Sequence, residues 1–201
     1  MKNNKKFSSS QVKSGAIRII AGRYRGRKLP VLDVQGLRPT TDRVKETVFN
    51  WLMAYIANSH CLDCFAGSGG LGFEALSRGA KQVTFVELHA PAARQIKQNL
   101  QQLNIDEQQS AQVISADCIQ WLQQPRPSTV TPYELVFVDP PFRTGLASIV
   151  CQQLAQGWLT EQALVYVEVE AELLLQDMPK TWRLLKEKIA GQVAYRLYQT
   201  N

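Results

Sequence analysis

The chain has 201 residues, 45% hydrophobic and 20% charged, with a formal net charge of +6. That length suits one domain with a substantial core, and the composition suits a soluble globular protein. No apolar run approaches the ~20 residues of a membrane span. The lysine-bearing N-terminus also lacks the apolar core of a secretory signal, so a cytoplasmic protein is expected.

The charge is unevenly spread. Residues 1–50 carry 12 Lys/Arg against 3 Asp/Glu, whereas residues 51–201 carry 11 against 14. A basic first quarter points to an acidic partner such as nucleic acid. Residues 1–15 are expected to form a disordered basic tail, for which a solubilising role is explanation enough. That role explains residues 16–37 less well. There Arg18, Arg23, Arg25, Arg27 and Lys28 alternate with Ile, Tyr24 and two glycines in a strand–turn–strand pattern. Basic side chains on a hairpin, with one aromatic, suit phosphate contact and stacking of a loop base.

A helix is expected within residues 38–58. A Thr can cap its start, and Val44, Val48, Trp51, Leu52 and Tyr55 recur at helical spacing as a stripe to be buried. Thr41, Arg43, Lys45 and Glu46 lie near the helix start. Free N–H groups there favour a carboxylate or an RNA phosphate. A plain amphipathic helix with a solvated face is the competing reading.

Residues 59–201 carry the main fold. Cys61 to Cys64 is an apolar strand that runs into a glycine-rich turn, and Leu71 to Arg78 is helical. Gly67, Gly69 and Gly72 fit G-x-G-x-x-G, and Glu87 lies 20 residues past Gly67, ending the apolar run Val83 to Val86. This is the pattern of a mononucleotide-binding βαβ unit, with the acid placed for a ribose diol. NAD is the default ligand of such a pattern, but Asp63 sits four residues before Gly67. A carboxylate there crowds a pyrophosphate and suits a cation. S-adenosylmethionine carries an ammonium, a sulfonium and no phosphate, and is therefore favoured.

Ala90 to Leu103 is expected to be helical and Ala111 to Ser115 a strand, with Asp117 placed to cap a helix reaching Leu122. After a loop from Pro125 to Pro132, the strand Glu134 to Val138 ends in Asp139-Pro140-Pro141-Phe142. Asp139 and the Pro140 carbonyl can hold the two N–H groups of an exocyclic amine. Consecutive prolines stiffen the turn, and Phe142 offers a face to an extruded base. The blander reading is a strand-ending turn with a solvated Asp. Gly145 to Gln156 is expected to be helical and Ala163 to Glu168 a strand. Trp182 to Ile189 and Val193 to Gln199 close the fold as an antiparallel pair. Asp63, Glu87, Asp117 and Asp139 all fall at strand ends, where ligands bind in such sheets.

Cysteines occur at 61, 64, 118 and 151. The odd spacing of Cys61 and Cys64 along a strand puts their side chains on opposite faces, so no metal site is expected.

Asp139-Pro-Pro-Phe142 looks like the (Asp/Asn)-Pro-Pro-(Tyr/Phe) motif of S-adenosylmethionine-dependent amino-methyltransferases. More narrowly, Ile17-Arg-Ile-Ile-Ala-Gly22, Arg25-Gly-Arg-Lys-Leu29, Leu37-Arg-Pro-Thr-Thr-Asp-Arg-Val-Lys-Glu46 and Leu62-Asp-Cys-Phe-Ala-Gly-Ser-Gly69 resemble the RsmD family. Val165-Tyr-Val-Glu168 and Gly191-Gln-Val-Ala-Tyr-Arg196 extend the likeness. That family consists of bacterial 16S rRNA guanine-N2 methyltransferases. The resemblance implies an α/β, doubly wound Rossmann-like sheet of seven strands, the last antiparallel, with a small basic N-terminal hairpin.

It also implies S-adenosylmethionine held by Asp63, Phe65, Gly67, Gly69, Glu87, Leu88, Asp117 and Cys118. Asp117 would accept from the adenine amine, and Thr41 would lie in a segment closing over the methionine end. Asp139, Pro140, Pro141 and Phe142 form the implied catalytic corner. Arg18, Arg23, Arg25, Arg27, Lys28 and Arg43 would meet RNA, in 16S rRNA or a nearly assembled 30S subunit, and a monomer is expected. Two rivals stay open: an adenine-N6 or protein-glutamine methyltransferase, and a non-catalytic RNA-binding assembly factor.

Overall fold

The computed structural model describes residues 15–32, 41–107, 109–172 and 178–201. The expected tail over residues 1–14 and the motif residues 37–40 lie outside the described residues. Gly15, expected in the tail, instead pairs with Val31. It opens β1 (Gly15–Arg18), which runs antiparallel to β2 (Lys28–Val31). Next come α1 (Asp42–Trp51), β3 (His60–Asp63), α2 (Gly70–Ser77), β4 (Gln82–Val86) and α3 (Ala90–Gln102). The chain continues through β5 (Ala111–Ile114), α4 (Cys118–Gln123), β6 (Tyr133–Val138), α5 (Leu146–Leu154) and β7 (Leu159–Glu170). It ends with β8 (Arg183–Ala190) and β9 (Val193–Gln199).

Seven strands form one sheet in the order β5-β4-β3-β6-β7-β9-β8. β3, β4, β5, β6 and β7 pair in parallel, and β9 inserts antiparallel between β7 and β8. The last strand is thus the antiparallel one, as expected. Chain order reverses between β3 and β6, so a crevice opens at their carboxyl ends.

Each face of the sheet carries its own core. On one side Cys61, Phe85, Phe137 and Tyr166 pack against α1, α2, α3 and the hairpin. On the other, Leu62, Cys64, Val136 and Val165 pack with Leu122 of α4 and Val150 of α5. Cys61 and Cys64 therefore do face opposite ways, and all four cysteines are buried free thiols.

The hairpin is docked rather than extended. Its turn backbone donates from Ile20 and Ala21 to the carboxylate of Glu74 at 2.8 and 3.1 Å, and from Arg23 to the Ser77 carbonyl at 2.7 Å. Glu74 is fully buried and also accepts from Arg78 Nε at 2.7 Å. Gly22 adopts φ +79°, and a Cβ there would stand 1.8 Å from the Ser77 carbonyl oxygen. Tyr24, expected to be open for stacking, packs against the core with the Arg23 guanidinium over its ring.

Two expectations for α1 need correcting. Tyr55 is 54% exposed because the helix stops at Trp51, and Phe49 joins Val48 and Leu52 in the core instead. Lys45 is not on a polar face. It is buried, donates to the Arg18 carbonyl at 2.6 Å and lies 3.2 Å from Asp42, tying hairpin to helix.

Candidate active site

A cavity of about 860 Å³ lies over the carboxyl ends of β3, β4, β5, β6 and β7. Ligand pockets commonly span roughly 300–1,000 Å³, and this one lies toward the upper end of that range. Asp63, Glu87, Asp117 and Asp139 all line it. The four acids come from four neighbouring strand ends, and the parallel register sets Glu87 and Asp139 two residues beyond Asp63 and Asp117 two residues beyond Glu87.

The loop after β3 is shaped by its glycines. Gly67 has φ +54° and lines the cavity, so backbone faces the ligand space with no side chain between. Gly69 does not line the wall. With φ +79° it starts α2, and a Cβ there would stand 2.6 Å from Phe73. Gly72 serves packing, since a Cβ would meet the Phe85 ring at 2.2 Å. Glu87 Oε2 accepts from Gly67 N at 2.6 Å and Oε1 from His89 N at 2.7 Å. Asp63 is buried and accepts from Gly72 N at 3.1 Å. Asp117 caps α4, accepting from Gln120 N at 3.0 Å, with Cys118 buried behind it. Phe65, exposed Leu88 and Thr41, the N-cap of α1, complete this part of the wall.

The Asp139-Pro140-Pro141-Phe142 corner lines the same cavity. Pro140 is buried, whereas Phe142 is 43% exposed at the rim, where an incoming ring can reach it. Arg18, Arg23, Arg25, Arg27, Lys28 and Arg43 are exposed and stand outside the cavity wall. Arg18 Nε lies 3.5 Å from Asp42, which offsets part of its charge.

Sequence reading assigned no role to two wall residues, Glu168 and Tyr195. The signal was present but weak: Glu168 sits two residues past Tyr166 in an apolar strand and therefore shares its face.

The electrostatics of the wall favour a cation. Burial pushes the Asp63 carboxyl up to about 7, with Asp139 and Glu87 adding repulsion against the Gly72 N–H. Burial and then Asp139 push Glu168 up to about 8. A positively charged ligand relieves this crowding and a pyrophosphate aggravates it. Acids, a backbone cradle and space for a base together fit S-adenosylmethionine.

Fold and site together define a Rossmann-like methyltransferase that depends on S-adenosylmethionine. The family model described as Conserved hypothetical protein 95 matches residues 17–199. The chain belongs to that family, whose curated members include proteins named Ribosomal RNA small subunit methyltransferase D. The one from Haemophilus influenzae is 53% identical, covering 97% of this chain and 99% of its own. The one from Escherichia coli K12 is 52% identical, covering 92% and 91%. Among solved structures, a putative methyltransferase from Escherichia coli superposes with a TM-score of 0.84 at 49% identity, covering 92% of this chain and 98% of that one.

Proposed function

We propose that this protein transfers the methyl group of S-adenosylmethionine to the exocyclic N2 of a guanine in 16S rRNA, in the cytoplasm, acting as a monomer on a nearly assembled small subunit. The observation that carries the proposal is the shared cavity. The Asp139-Pro-Pro-Phe corner and the acids of the glycine-loop side face one space. The names of the relatives support the choice of RNA as substrate.

S-adenosylmethionine supplies an activated methyl on a sulfonium. Glu87 holds the ribose hydroxyls, Asp117 and the backbone at Cys118 hold the adenine edge, and Asp63 faces the ammonium. Phe142 stacks the extruded base. Asp139 and the Pro140 carbonyl accept the two N2–H bonds, which turns the nitrogen lone pair toward the methyl. The methyl would pass from the sulfonium to this nitrogen, the S–CH₃ bond breaking as N–CH₃ forms and the donor leaving as the neutral thioether S-adenosylhomocysteine, while the nitrogen would lose one proton to Asp139 or to water. Orientation of this kind supplies up to roughly 7–11 kcal/mol in well-aligned systems. Exposed Arg23, Arg25, Arg27, Lys28 and Arg43 meet phosphates around the target.

The test is methyl transfer to small subunits from cells lacking this gene, read by nucleoside mass spectrometry. N2-methylguanosine should appear with wild type. Asp139→Ala should abolish transfer and change S-adenosylmethionine affinity by no more than a few-fold. N6-methyladenosine, or wild-type turnover in the variant, contradicts the proposal.

A further inference from the structure

Glu168 ends an otherwise apolar stretch of β7, yet its side chain is not spent on the fold. It is 7% exposed, lines the cavity and belongs to no ion pair among the described residues. Tyr166 Oη donates to its Oε2 at 2.9 Å and so fixes the direction of the carboxyl. The other oxygen, Oε1, accepts no hydrogen bond from a described residue. That oxygen is not closed off in the core; it opens on the cavity, where a ligand N–H can reach it.

The register says what it faces. Val138 pairs with Val167 in the parallel β6–β7 ladder, so Asp139 and Glu168 follow as neighbours. On the other side Glu168 pairs with Tyr195 of β9. Asp139 and Glu168 thus stand side by side at adjacent strand ends, whose backbones run about 4.8 Å apart. Burial raises the Glu168 carboxyl, and the neighbouring Asp139 adds to it.

A guanine edge presents two adjacent donors, the ring N1–H and the exocyclic N2–H₂. An adenine edge presents one amine beside an N1 acceptor. With Glu168 ionised, above about pH 8, the row of two carboxylates matches the first pattern and opposes the second with an acceptor against an acceptor. We propose that Glu168 Oε1 accepts the N1–H of the extruded guanine while Asp139 holds N2, making Glu168 the residue that selects guanine over adenine. This rests on the guanine reading above. The pairing also accounts for a buried acid kept where an apolar side chain would fold more cheaply.

The experiment uses the full chain and small subunits from cells lacking this gene. Glu168→Leu removes the acceptor, and Glu168→Gln keeps one amide oxygen for N1–H in nearly the same shape. Without that hydrogen bond, kcat/KM for subunits should fall by at least about tenfold in Glu168→Leu. Glu168→Gln should recover most of that loss. S-adenosylmethionine affinity, read by calorimetry, should stay within about twofold in both, which also shows that they are folded. Guanosine should inhibit wild type more strongly than 1-methylguanosine, which lacks N1–H, and Glu168→Leu should lose that preference. Wild-type kcat/KM in Glu168→Leu, or equal inhibition of wild type by the two nucleosides, overturns the role of Glu168 and leaves the methyltransferase reading intact. A wild-type enzyme that methylates adenine in place of guanine overturns both.

Discussion

The backbone N–H of Gly67 donates to Glu87 Oε2 across 2.6 Å, joining the loop after β3 to the end of β4. With His89 N on the other oxygen at 2.7 Å, the carboxylate is clamped from both sides before any ligand arrives. An ionised carboxylate has about four lone-pair sites, so each oxygen keeps capacity for a ribose hydroxyl. Replacing Glu87 by Gln sets an NH₂ against one of these N–H donors. Loss of one charge-assisted bond costs about 1.5–3 kcal/mol, so S-adenosylmethionine affinity should fall by roughly 10- to 100-fold. Calorimetry on the variant measures this. Unchanged affinity would mean that Glu87 shapes the loop and does not touch ribose.

Glu74 predicts a different failure. Its fully buried carboxylate serves the hairpin N–H groups of Ile20 and Ala21 together with the Arg78 side chain. Glu74→Ala strands all of them. Breaking such a buried pair costs about 3–5 kcal/mol, equivalent to a melting shift of very roughly 6–20 °C at this chain length. Gly22→Ala should act in the same direction, because its Cβ would meet the Ser77 carbonyl oxygen at 1.8 Å. Thermal unfolding of both variants is the measurement. A loss under about 1 kcal/mol would show the hairpin to be only loosely seated.

Much of this site is legible in the sequence because strand ends announce themselves. An apolar run followed by Asp or Glu and a turn former places Asp63, Glu87, Asp117 and Asp139, and the parallel topology then gathers them. What stays hidden depends on tertiary contact. Lys45 reads as polar because helical spacing does not reveal that the Arg18 carbonyl awaits it. Tyr55 continues the 3.6-residue period past the point where α1 ends. Glu74 lies in an apolar helix whose partner is 53–54 residues earlier. Glu168 gains its meaning from Asp139 and Tyr195, which come from two other strands.

The exposed cations of the hairpin predict salt-dependent RNA binding. Neutralising Arg23, Arg25 and Arg27 to Gln should weaken subunit binding at low salt. The slope of log K against log[salt] should become shallower by about 2, at roughly 0.7 for each single-strand phosphate no longer neutralised. Arg18 should contribute less than these three, since Asp42 lies 3.5 Å away. Filter binding across a salt series tests the prediction. An unchanged slope would take the hairpin out of the interface.

The crowded acids predict how ligand binding and stability respond to pH. Asp63 is raised from 3.8 to about 7, and Glu168 from 4.5 to about 8. Between those values the folded protein holds protons that the unfolded chain has released. The stability these groups provide is therefore complete below about pH 4 and is lost as pH rises through about 7 to 8. Each unit of displacement corresponds to about 1.4 kcal/mol at most. The ligand-free protein should thus melt lower at pH 8.5 than at pH 6, and Glu168→Gln should narrow that difference. Ligand binding runs the opposite way. An ammonium needs ionised Asp63, so S-adenosylmethionine affinity should rise by about tenfold for each unit of pH below the Asp63 value, and fall again above about pH 8 as the free ligand's ammonium loses its proton. Asp63→Asn should flatten that rise. Calorimetric titrations from pH 6 to pH 8.5 decide the matter. Affinity that is flat in wild type would move the ammonium away from Asp63.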